Sequence, residues 1–430
     1  MTRRGFLGAA GLGLLQAQQA KKPNIVFILA DDLGLGDVGC YGADRYKTPN
    51  IDKLAKGGTM YTNSYTAPLC GPSRALILTG RYAFRTGATN QDATGEMTPA
   101  GEKMMPSVMK PAGYVTGSVG KWGQLPLGPA EFGFDEHLTF KGSGVYWNTQ
   151  DKGKNYWVNG KKRDLKDKEY LPDVIQDFAV DFMTRHKSEP FYLYYPMSHI
   201  HGEILPTPDS KPGQEDYYGD NIAYMDKLVG KFIAELERLK LRENTLVIFV
   251  GDNGTSGGHA KTSTIGGRPI SGAKGEMLEG GALVPMIVNW PGKTPAGKVS
   301  HDLVDSTDFM PTFAEIAGAK LPANTLIDGR SFAPQVYGKK GQPREWIFIQ
   351  LAKTWYVRDA AWKLNQAGEL FDMSGAPFTE PLVKTDSPAA AAARKRLQAA
   401  LDKLNPAGGI VDTGDGTGRH ASRAEKKGKK

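Results

Sequence analysis

The chain has 430 residues, of which 40% are hydrophobic, and its formal charge at pH 7 is +8. This composition predicts a globular protein with a sizeable core and excludes a fibrous or fully disordered chain. The positive charge lies mostly at the two ends: residues 1–20 carry +2 and residues 419–430 carry +5, which leaves +1 for the rest. A nearly neutral body argues against a surface that follows a nucleic-acid backbone, so we expect no nucleic-acid partner.

The first twenty residues have the pattern of an export signal. Arg3 and Arg4 precede an apolar stretch from Phe6 to Leu15 that is too short to span a bilayer stably. The paired arginines resemble a twin-arginine signal, and an ordinary signal peptide with two incidental arginines is the alternative. We therefore expect the chain to use export machinery, to have no membrane span, and to be periplasmic or secreted.

Short apolar runs that look like buried strands alternate with helical patterns. The predicted strands cover residues 25–30, 114–119, 191–195, 246–250 and 286–290, and the clearest helix covers residues 219–239. Strands separated by helices predict an α/β fold with a large, mostly parallel sheet sandwiched by helices.

A turn-rich, charged stretch at residues 338–343 indicates a boundary between two units. We expect a catalytic domain over residues 22–341 and a smaller C-terminal α+β subdomain over residues 342–405. The subdomain combines four short strand-like runs, which predict an antiparallel sheet, with a helix over residues 389–404. Residues 406–430 are rich in Gly, Thr and Lys and are predicted to form a disordered basic tail.

Polar groups follow two of the predicted strands. Asp31 and Asp32 come after the first, and Asp252 and Asn253 follow the strand at 246–250. Ligands bind beyond the carboxyl ends of the strands in open parallel sheets, so these four oxygen ligands should converge. Carboxylates with an amide oxygen suit Ca²⁺ or Mg²⁺ rather than zinc, although each pair taken singly also fits a common turn or helix cap.

Residues 70–81 predict a helix with a cysteine at its start. Pro72 suits the first turn and Gly80 the C-terminal stop, which places Cys70 at the helix N-terminus. That end favours a tetrahedral anion, and Arg74 adds a forked donor. A buried structural cysteine or a bridge to Cys40 is the alternative, but neither accounts for the neighbouring Pro and Arg.

These residues carry a family resemblance. Cys70-x-Pro72-Ser73-Arg74 followed by Leu78-Thr79-Gly80-Arg81 resembles the signature of the formylglycine-dependent (type I) sulfatases of the alkaline-phosphatase-like superfamily. Similar blocks extend over most of the chain, at residues 23–32, 39–42, 48–52, 221–229, 251–254, 274–281, 308–312 and 369–372.

The resemblance implies a modified nucleophile and a metal. Cys70 would be oxidised to formylglycine by a maturation enzyme. Asp31, Asp32, Asp252 and Asn253 would hold one Ca²⁺ together with the modified residue.

The resemblance also implies a set of basic residues around the sulfate. Arg74 would steady the aldehyde hydrate, and Lys121, His201 and Lys274 would contact the substrate. His199 is an alternative to His201, and the two lysines could instead be surface residues in Gly-rich turns. Cations at such a site lower the repulsion between an anionic sulfuryl group and its nucleophile.

The function so implied is hydrolysis of sulfate esters, on a sulfated small molecule or glycan. The aromatic residues at 146, 147, 156 and 157 are candidates for stacking on sugar rings. One departure stands out, since Gly123 occupies the place of a family histidine; Gln124 and His199 are the candidates to replace it. A phosphodiesterase or phosphonate-ester hydrolase on the same scaffold and a catalytically silent sulfated-glycan binder are the alternatives.

Overall fold

The computed structural model describes residues 21–123, 127–214, 216–385 and 387–414. The predicted signal peptide, Gln124 and the last sixteen residues of the predicted tail lie outside these ranges. The strands are β1 (Asn24–Ala30), β2 (Thr59–Tyr65), β3 (Val115–Val119), β4 (Glu136–Phe140), β5 (Asn155–Val158), β6 (Lys161–Asp164), β7 (Phe191–Pro196), β8 (Thr245–Gly251), β9 (Thr264–Ile265), β10 (Arg268–Pro269), β11 (Leu283–Asn289), β12 (Lys298–Asp305), β13 (Ile347–Leu351), β14 (Thr354–Arg358), β15 (Trp362–Asn365) and β16 (Leu370–Asp372). The α-helices are α1 (Pro49–Lys56), α2 (Cys70–Thr79), α3 (Ala83–Thr86), α4 (Pro106–Met109), α5 (Leu171–Arg185), α6 (Tyr218–Arg238), α7 (Glu279–Ala282), α8 (Phe309–Ala317), α9 (Ala333–Val336) and α10 (Pro388–Leu404).

Ten strands form one large sheet in the order β12-β2-β11-β8-β1-β7-β3-β4-β5-β6. Strands β8, β1, β7, β3 and β4 are parallel neighbours, as is the pair β12 and β2. Strand β11 runs antiparallel to both of its neighbours, and β5 and β6 form an antiparallel hairpin at the far edge. The expected α/β fold with a mostly parallel sheet is confirmed, and the antiparallel strands are an addition that the sequence pattern did not predict.

The central strands are buried on both faces of the sheet. In β1, Val26 and Ile28 pack into the core on one face, and Ile25, Phe27 and Leu29 pack into the core on the other. Because each face is covered, the strand reads as a continuous apolar run rather than an alternating one. This explains why β1, β7 and β8 were recognisable from the sequence.

The C-terminal unit contains an antiparallel sheet in the order β13-β14-β15-β16, covered by α10. Its core continues into the large domain, where Phe348 packs edge-to-face against Tyr82 with ring centroids 4.9 Å apart. A buried ion pair between Arg344 and Asp308 also joins the two parts of the chain. The antiparallel sheet of the C-terminal subdomain is confirmed, and the boundary at residue 341 stays a prediction.

Residues 406–414 differ from the expected disordered tail. The backbone N–H of Ile410 donates to the carbonyl oxygen of Phe84 at 2.7 Å, and Asp412 is buried with 4% of its surface exposed. The Asp412 carboxylate accepts a hydrogen bond from Thr89 Oγ1 at 2.8 Å. The composition of this segment predicted disorder, because composition alone cannot show that one carboxylate, Asp412, is buried and hydrogen-bonded to distant residues. No helix in the part of the chain that the structure describes is long and apolar enough to cross a membrane.

Candidate active site

The carboxyl ends of five strands meet at one rim of the large sheet, because β1, β2, β3, β7 and β8 run in the same direction. The candidate residues that follow these strands are Asp31 and Asp32 after β1, Cys70 and Arg74 in α2 after β2, Lys121 after β3, His199 and His201 after β7, and Asp252 and Asn253 after β8. Lys274 arrives from the opposite direction. It precedes β11, and since β11 is antiparallel to β8, the start of β11 lies at the same rim.

Three carboxylates form the centre of this rim. Asp31, Asp32 and Asp252 are buried, and one oxygen from each lies within 4.8 Å of the others. Asn253 Nδ2 donates to Asp32 Oδ1 at 2.9 Å and to the carbonyl oxygen of Gly254 at 2.9 Å.

The donor set fits a hard cation. Among the described residues, neither Asp31 Oδ1 nor Asn253 Oδ1 has a hydrogen-bond partner, although both atoms are buried. A buried acceptor without a partner is costly, and oxygen atoms of this kind are the ligands that Ca²⁺ and Mg²⁺ prefer. The residues present therefore fit a metal of this class, and Asp31, Asp32, Asp252 and Asn253 are the residues that would hold it.

Helix α2 presents Cys70 at its first position. Leu69 precedes it with an extended backbone, and Gly80 ends it with φ of 68°, a left-handed conformation that favours glycine. All ten helical residues are buried. The helix bounds and the position of Cys70 agree with the sequence expectation.

Two of the backbone N–H groups at the start of α2, which we expected to be available to an anion, already donate hydrogen bonds within the protein. The backbone N–H of Gly71 donates to Gln91 Oε1 at 3.0 Å, and that of Ser73 donates to the carbonyl oxygen of Leu69 at 3.1 Å. Gln91 Oε1 also lies 3.3 Å from Cys70 Sγ. Sequence reasoning missed Gln91, because a glutamine in a loop twenty-one residues further on carries no local signal of this contact.

Cys70 lies in a charged pocket. Its Sγ atom groups with a carboxylate oxygen of Asp31 and a ring nitrogen of His201 within 4.8 Å. Burial raises the pKa of the Cys70 thiol, while the ammonium groups of Lys121 and Lys274 act in the opposite direction. Cys40 and Cys70 are both free thiols, so the alternative of a bridge between them is wrong.

Arg74 contacts two of the buried carboxylates and the backbone of Lys121. Its Nη2 pairs with Asp252 Oδ2 at 2.7 Å and lies 3.7 Å from Asp31 Oδ1, and its Nη1 donates to the carbonyl oxygen of Lys121 at 2.7 Å. The Arg74 side chain is fully buried. Removing one partner of such a pair leaves an uncompensated buried charge, so Arg74 fixes the position of Asp252 as well as contributing charge.

Lys121 is fully buried and the Lys274 side chain is 9% exposed, so neither is an ordinary surface lysine. Lys121 Nζ is 2.6 Å from Asp31 Oδ2, and Lys274 Nζ is 2.6 Å and 2.7 Å from the two oxygens of Asp32. Burial disfavours the charged form of both lysines, but the adjacent carboxylates outweigh it and raise the pKa of each. Both side chains are therefore positively charged at neutral pH.

The two histidines have different surroundings. His201 Nε2 lies 3.8 Å from Asp32 Oδ2 and is part of the group around Cys70. His199 is fully buried among aromatic rings, and its Nε2 is 2.9 Å from the hydroxyl of Tyr170. Burial lowers the pKa of each imidazole to about 3, and Lys121 contributes to the shift at His201. This arrangement favours His201 over His199 as the histidine that faces the reaction.

Gly123 occupies a backbone conformation that does not suit a larger residue. Its φ is +98°, and a Cβ atom placed there would lie 3.1 Å from Cδ of Arg74. A side chain at this position would be strained and would crowd Arg74. The backbone at position 123 therefore suits the glycine found there and does not suit the histidine of the family.

Two of the aromatic residues proposed for sugar stacking, Tyr146 and Trp157, differ in their exposure to solvent. Tyr146 is fully buried, and its hydroxyl donates to the carbonyl oxygen of His201 at 3.0 Å. It is structural, so the stacking hypothesis is wrong for this residue. Trp157 is partly exposed in β5, with Lys141 Nζ 5.2 Å from its ring centroid.

Asp37 supports the two loops that carry the carboxylates. It is buried, and it accepts hydrogen bonds from the backbone N–H of Gly34 at 3.0 Å and from the hydroxyls of Thr255 and Ser263 at 2.5 Å each. Burial raises the pKa of the Asp37 carboxyl to about 6 from an ordinary value of 3.8. The folded protein thus binds this proton more tightly than the unfolded chain.

This shift gives a testable pH dependence. Because the folded-state pKa is raised, the stabilisation linked to Asp37 is fully present below about pH 4 and is lost as the pH rises through about 6. Between these limits, the free energy of unfolding of the wild type should fall by on the order of 3 kcal/mol relative to Asp37→Asn. Denaturant titrations of both proteins across this range would measure it, and a difference independent of pH would contradict it.

Comparisons with known proteins agree with this geometry. The Sulfatase family model matches residues 23–319, and the model for the C-terminal region of N-sulphoglucosamine sulphohydrolase matches residues 273–402. N-acetylgalactosamine-6-sulfatase of Canis lupus familiaris is 35% identical over 365 residues, covering 77% of this chain and 69% of the relative. Arylsulfatase A of Homo sapiens is 34% identical over 377 residues, covering 79% and 72%.

Solved structures give the same result. Ps i-CgsB in complex with k-i-k-neocarrahexaose superposes with a TM-score of 0.78 at 29% identity, covering 89% of this chain and 93% of that one. The PsFucS1 sulfatase from Pseudoalteromonas sp. superposes with a TM-score of 0.75 at 25% identity, covering 92% and 93%. With the matched family models and the residues gathered at the rim, the chain belongs to the sulfatase family of the alkaline-phosphatase-like superfamily and hydrolyses sulfate esters.

Proposed function

We propose that this sulfatase works with one Ca²⁺ and with Cys70 converted to formylglycine by a maturation enzyme, and that its substrate is a sulfated carbohydrate. The observation that carries the proposal is the buried acidic group next to Cys70. Asp31 Oδ1 and Asn253 Oδ1 have no hydrogen-bond partner among the described residues, and Asp31 is also grouped with Cys70 Sγ. A cation held there would be adjacent to the reacting atom.

The modification supplies chemistry that an ordinary side chain lacks. The hydrated aldehyde offers two hydroxyls on one carbon, so that one attacks sulfur and the other later releases sulfate. The charged residues of the chain prepare the site for this step. Lys121 and Lys274 place ammonium groups beside the carboxylates and reduce the repulsion met by an incoming sulfate ester, and Arg74 keeps Asp252 in position.

Departure of the alcohol requires a proton. Lys274 and His201 are the two candidates, since both lie near the Asp32 carboxylate at the rim and His201 is also grouped with Cys70 Sγ. Lys274 is charged at neutral pH, whereas His201, with a pKa lowered to about 3, would have to gain its proton as the anionic substrate binds. A group positioned within hydrogen-bond distance of the leaving oxygen acts as a general acid. His199 is less suited, because its ring is enclosed by Tyr146, Tyr170 and Tyr224.

A carbohydrate substrate is supported by the relatives and by the outer strands. Ps i-CgsB was solved with a carrahexaose. In this chain, the hairpin of β5 and β6 presents the exposed basic run Lys161, Lys162 and Arg163. Lys141 and Trp157 lie beside the carboxyl end of β4, which is at the catalytic rim. Positive charge and an aromatic face suit a sulfated sugar chain.

Export is the remaining part of the proposal. The arginine pair and apolar stretch of residues 1–20 support passage through export machinery to the periplasm or the medium.

The proposal is tested by one combined experiment. Intact-mass and peptide analysis should show the Cys70 thiol replaced by an aldehyde. The same sample should then desulfate members of a panel of sulfated mono- and oligosaccharides and an aryl sulfate, faster than it cleaves matched phosphate diesters. A converted sample that cleaves phosphate diesters faster, or that binds sulfated sugars without releasing sulfate, would contradict the proposal.

A further inference from the structure

Gln91 is placed against the reacting residue by a loop that the catalytic motifs do not include. Its Oε1 accepts a hydrogen bond from the Gly71 N–H at 3.0 Å and lies 3.3 Å from Cys70 Sγ. The amide oxygen is therefore fixed between the backbone of α2 and the atom that would carry the nucleophile. An amide does not gain or lose a proton at ordinary pH, so Gln91 can orient a hydrogen but cannot act as a base.

Cys70 Sγ has charged or titratable neighbours as well as Gln91. Cys70 Sγ also faces Asp31 and His201, which belong to the acidic and basic centre of the site. A residue with two hydroxyls at position 70 would need one acceptor for each hydrogen. Gln91 Oε1 offers one acceptor, which leaves the other hydroxyl for Asp31 or His201.

The loop that carries Gln91 is held by the C-terminal segment. Asp412 accepts hydrogen bonds from Thr89 Oγ1 at 2.8 Å and from Asn90 Nδ2. Asn90 Oδ1 in turn accepts from the backbone N–H groups of residues 92 and 93, at 2.9 Å and 2.8 Å. The N–H of Ala352 donates to the carbonyl oxygen of Thr89 at 2.6 Å. The residues that precede Gln91 are thus held by residues far along the chain, and those that follow it are held by Asn90.

We infer that Gln91 orients one hydroxyl of the hydrated residue 70 by accepting its hydrogen, and that Asp412 is a positioning residue that keeps the Gln91 loop in place. This inference rests on the proposed formylglycine chemistry. It assigns a catalytic contact outside the motifs that identify the family. It also makes the segment around Asp412 part of the support of the active site.

The kinetic test compares three variants with the wild type, each normalised to its fraction of converted Cys70. Gln91→Met has a similar length but replaces the amide oxygen with a weakly accepting thioether, and its kcat on an aryl sulfate should fall about tenfold with KM little changed, the effect of losing one hydrogen bond. Gln91→Glu keeps an acceptor oxygen and should recover part of the loss. Glu96→Gln, an exposed change at the end of the 3-10 helix Ala93–Glu96 that follows Gln91, is the control and should match the wild type. A kcat for Gln91→Met within about twofold of wild type would overturn the inference.

A second measurement needs neither conversion nor activity. In protein that retains the Cys70 thiol, hydrogen exchange of the Gly71 amide should be faster in Gln91→Met and in Asp412→Ala, and little changed in Asp412→Asn, which keeps acceptor capacity. Unchanged exchange in both Gln91→Met and Asp412→Ala would overturn the contact itself. A wild type that lacks both aldehyde and sulfate-ester turnover, but shows these exchange differences, would refute the formylglycine proposal and leave the Gln91 contact established.

Discussion

Replacing Cys70 with serine should reduce steady-state turnover of a sulfate ester to below about one thousandth of the wild-type rate. Serine provides one hydroxyl, which suffices to accept the sulfuryl group but not to expel it. The surroundings are otherwise retained, since Arg74, Lys121 and Lys274 keep their carboxylate partners. We therefore expect at most one equivalent of alcohol released per protein molecule, measured by rapid-quench kinetics.

Cys40→Ser is the matched control for this experiment. Cys40 is a free, partly buried thiol, and burial raises its pKa to about 12, so it has no reactive thiolate near neutral pH. This variant should retain wild-type turnover. Sustained turnover by Cys70→Ser would show that the reaction does not require the two hydroxyls of a hydrated aldehyde.

Removal of calcium should have the second large effect. A chelator should abolish sulfate release, because Asp31 Oδ1 and Asn253 Oδ1, which have no hydrogen-bond partner among the described residues, would lose the cation that we propose binds there and polarises the reacting group. Restoring free Ca²⁺ should restore the rate. At a concentration about 100 times its Kd, the ion should also stabilise the fold by about 2.7 kcal/mol, which thermal or denaturant unfolding would detect.

Two asparagine variants distinguish the loss of a proposed calcium ligand from a general effect of removing an asparagine next to β8. Asn253→Ala removes an oxygen without a protein partner at the carboxyl end of β8 and should raise the Ca²⁺ concentration needed for half-maximal rate. Asn244→Ala, at the amino end of the same strand, should leave that concentration unchanged, since the Asn244 side chain donates to the carbonyl oxygen of Lys22 at the opposite end of β8 from the rim. Full activity in excess chelator would contradict the metal assignment.

Most of the site residues could be predicted from the sequence, because of the family resemblance and the expected direction of the strands. Asp31 and Asp252 each follow a continuous apolar run, and parallel strands bring such positions to one rim. The helix from Cys70 to Thr79 was equally visible, because Pro72 and Gly80 mark its start and end through local backbone preferences.

Other features depend on contacts between distant residues, and these leave no periodic pattern in the sequence. Lys274 reaches the rim because β11 reverses direction, Gln91 meets Cys70 through a loop, and Asp412 holds that loop from more than 300 residues away. Tyr146 looked available for a sugar but is enclosed by the tertiary packing.

The sequence by itself determined the α/β class, the acidic pairs and the cysteine at the start of α2, since each depends on short-range hydrophobic pattern or on a contiguous motif. Only the tertiary structure decided which histidine faces the reaction, why glycine fits at position 123, and which side chain touches Cys70. Those outcomes are set by strand direction and by single hydrogen bonds between remote parts of the chain, and their energies arise only once the chain is folded.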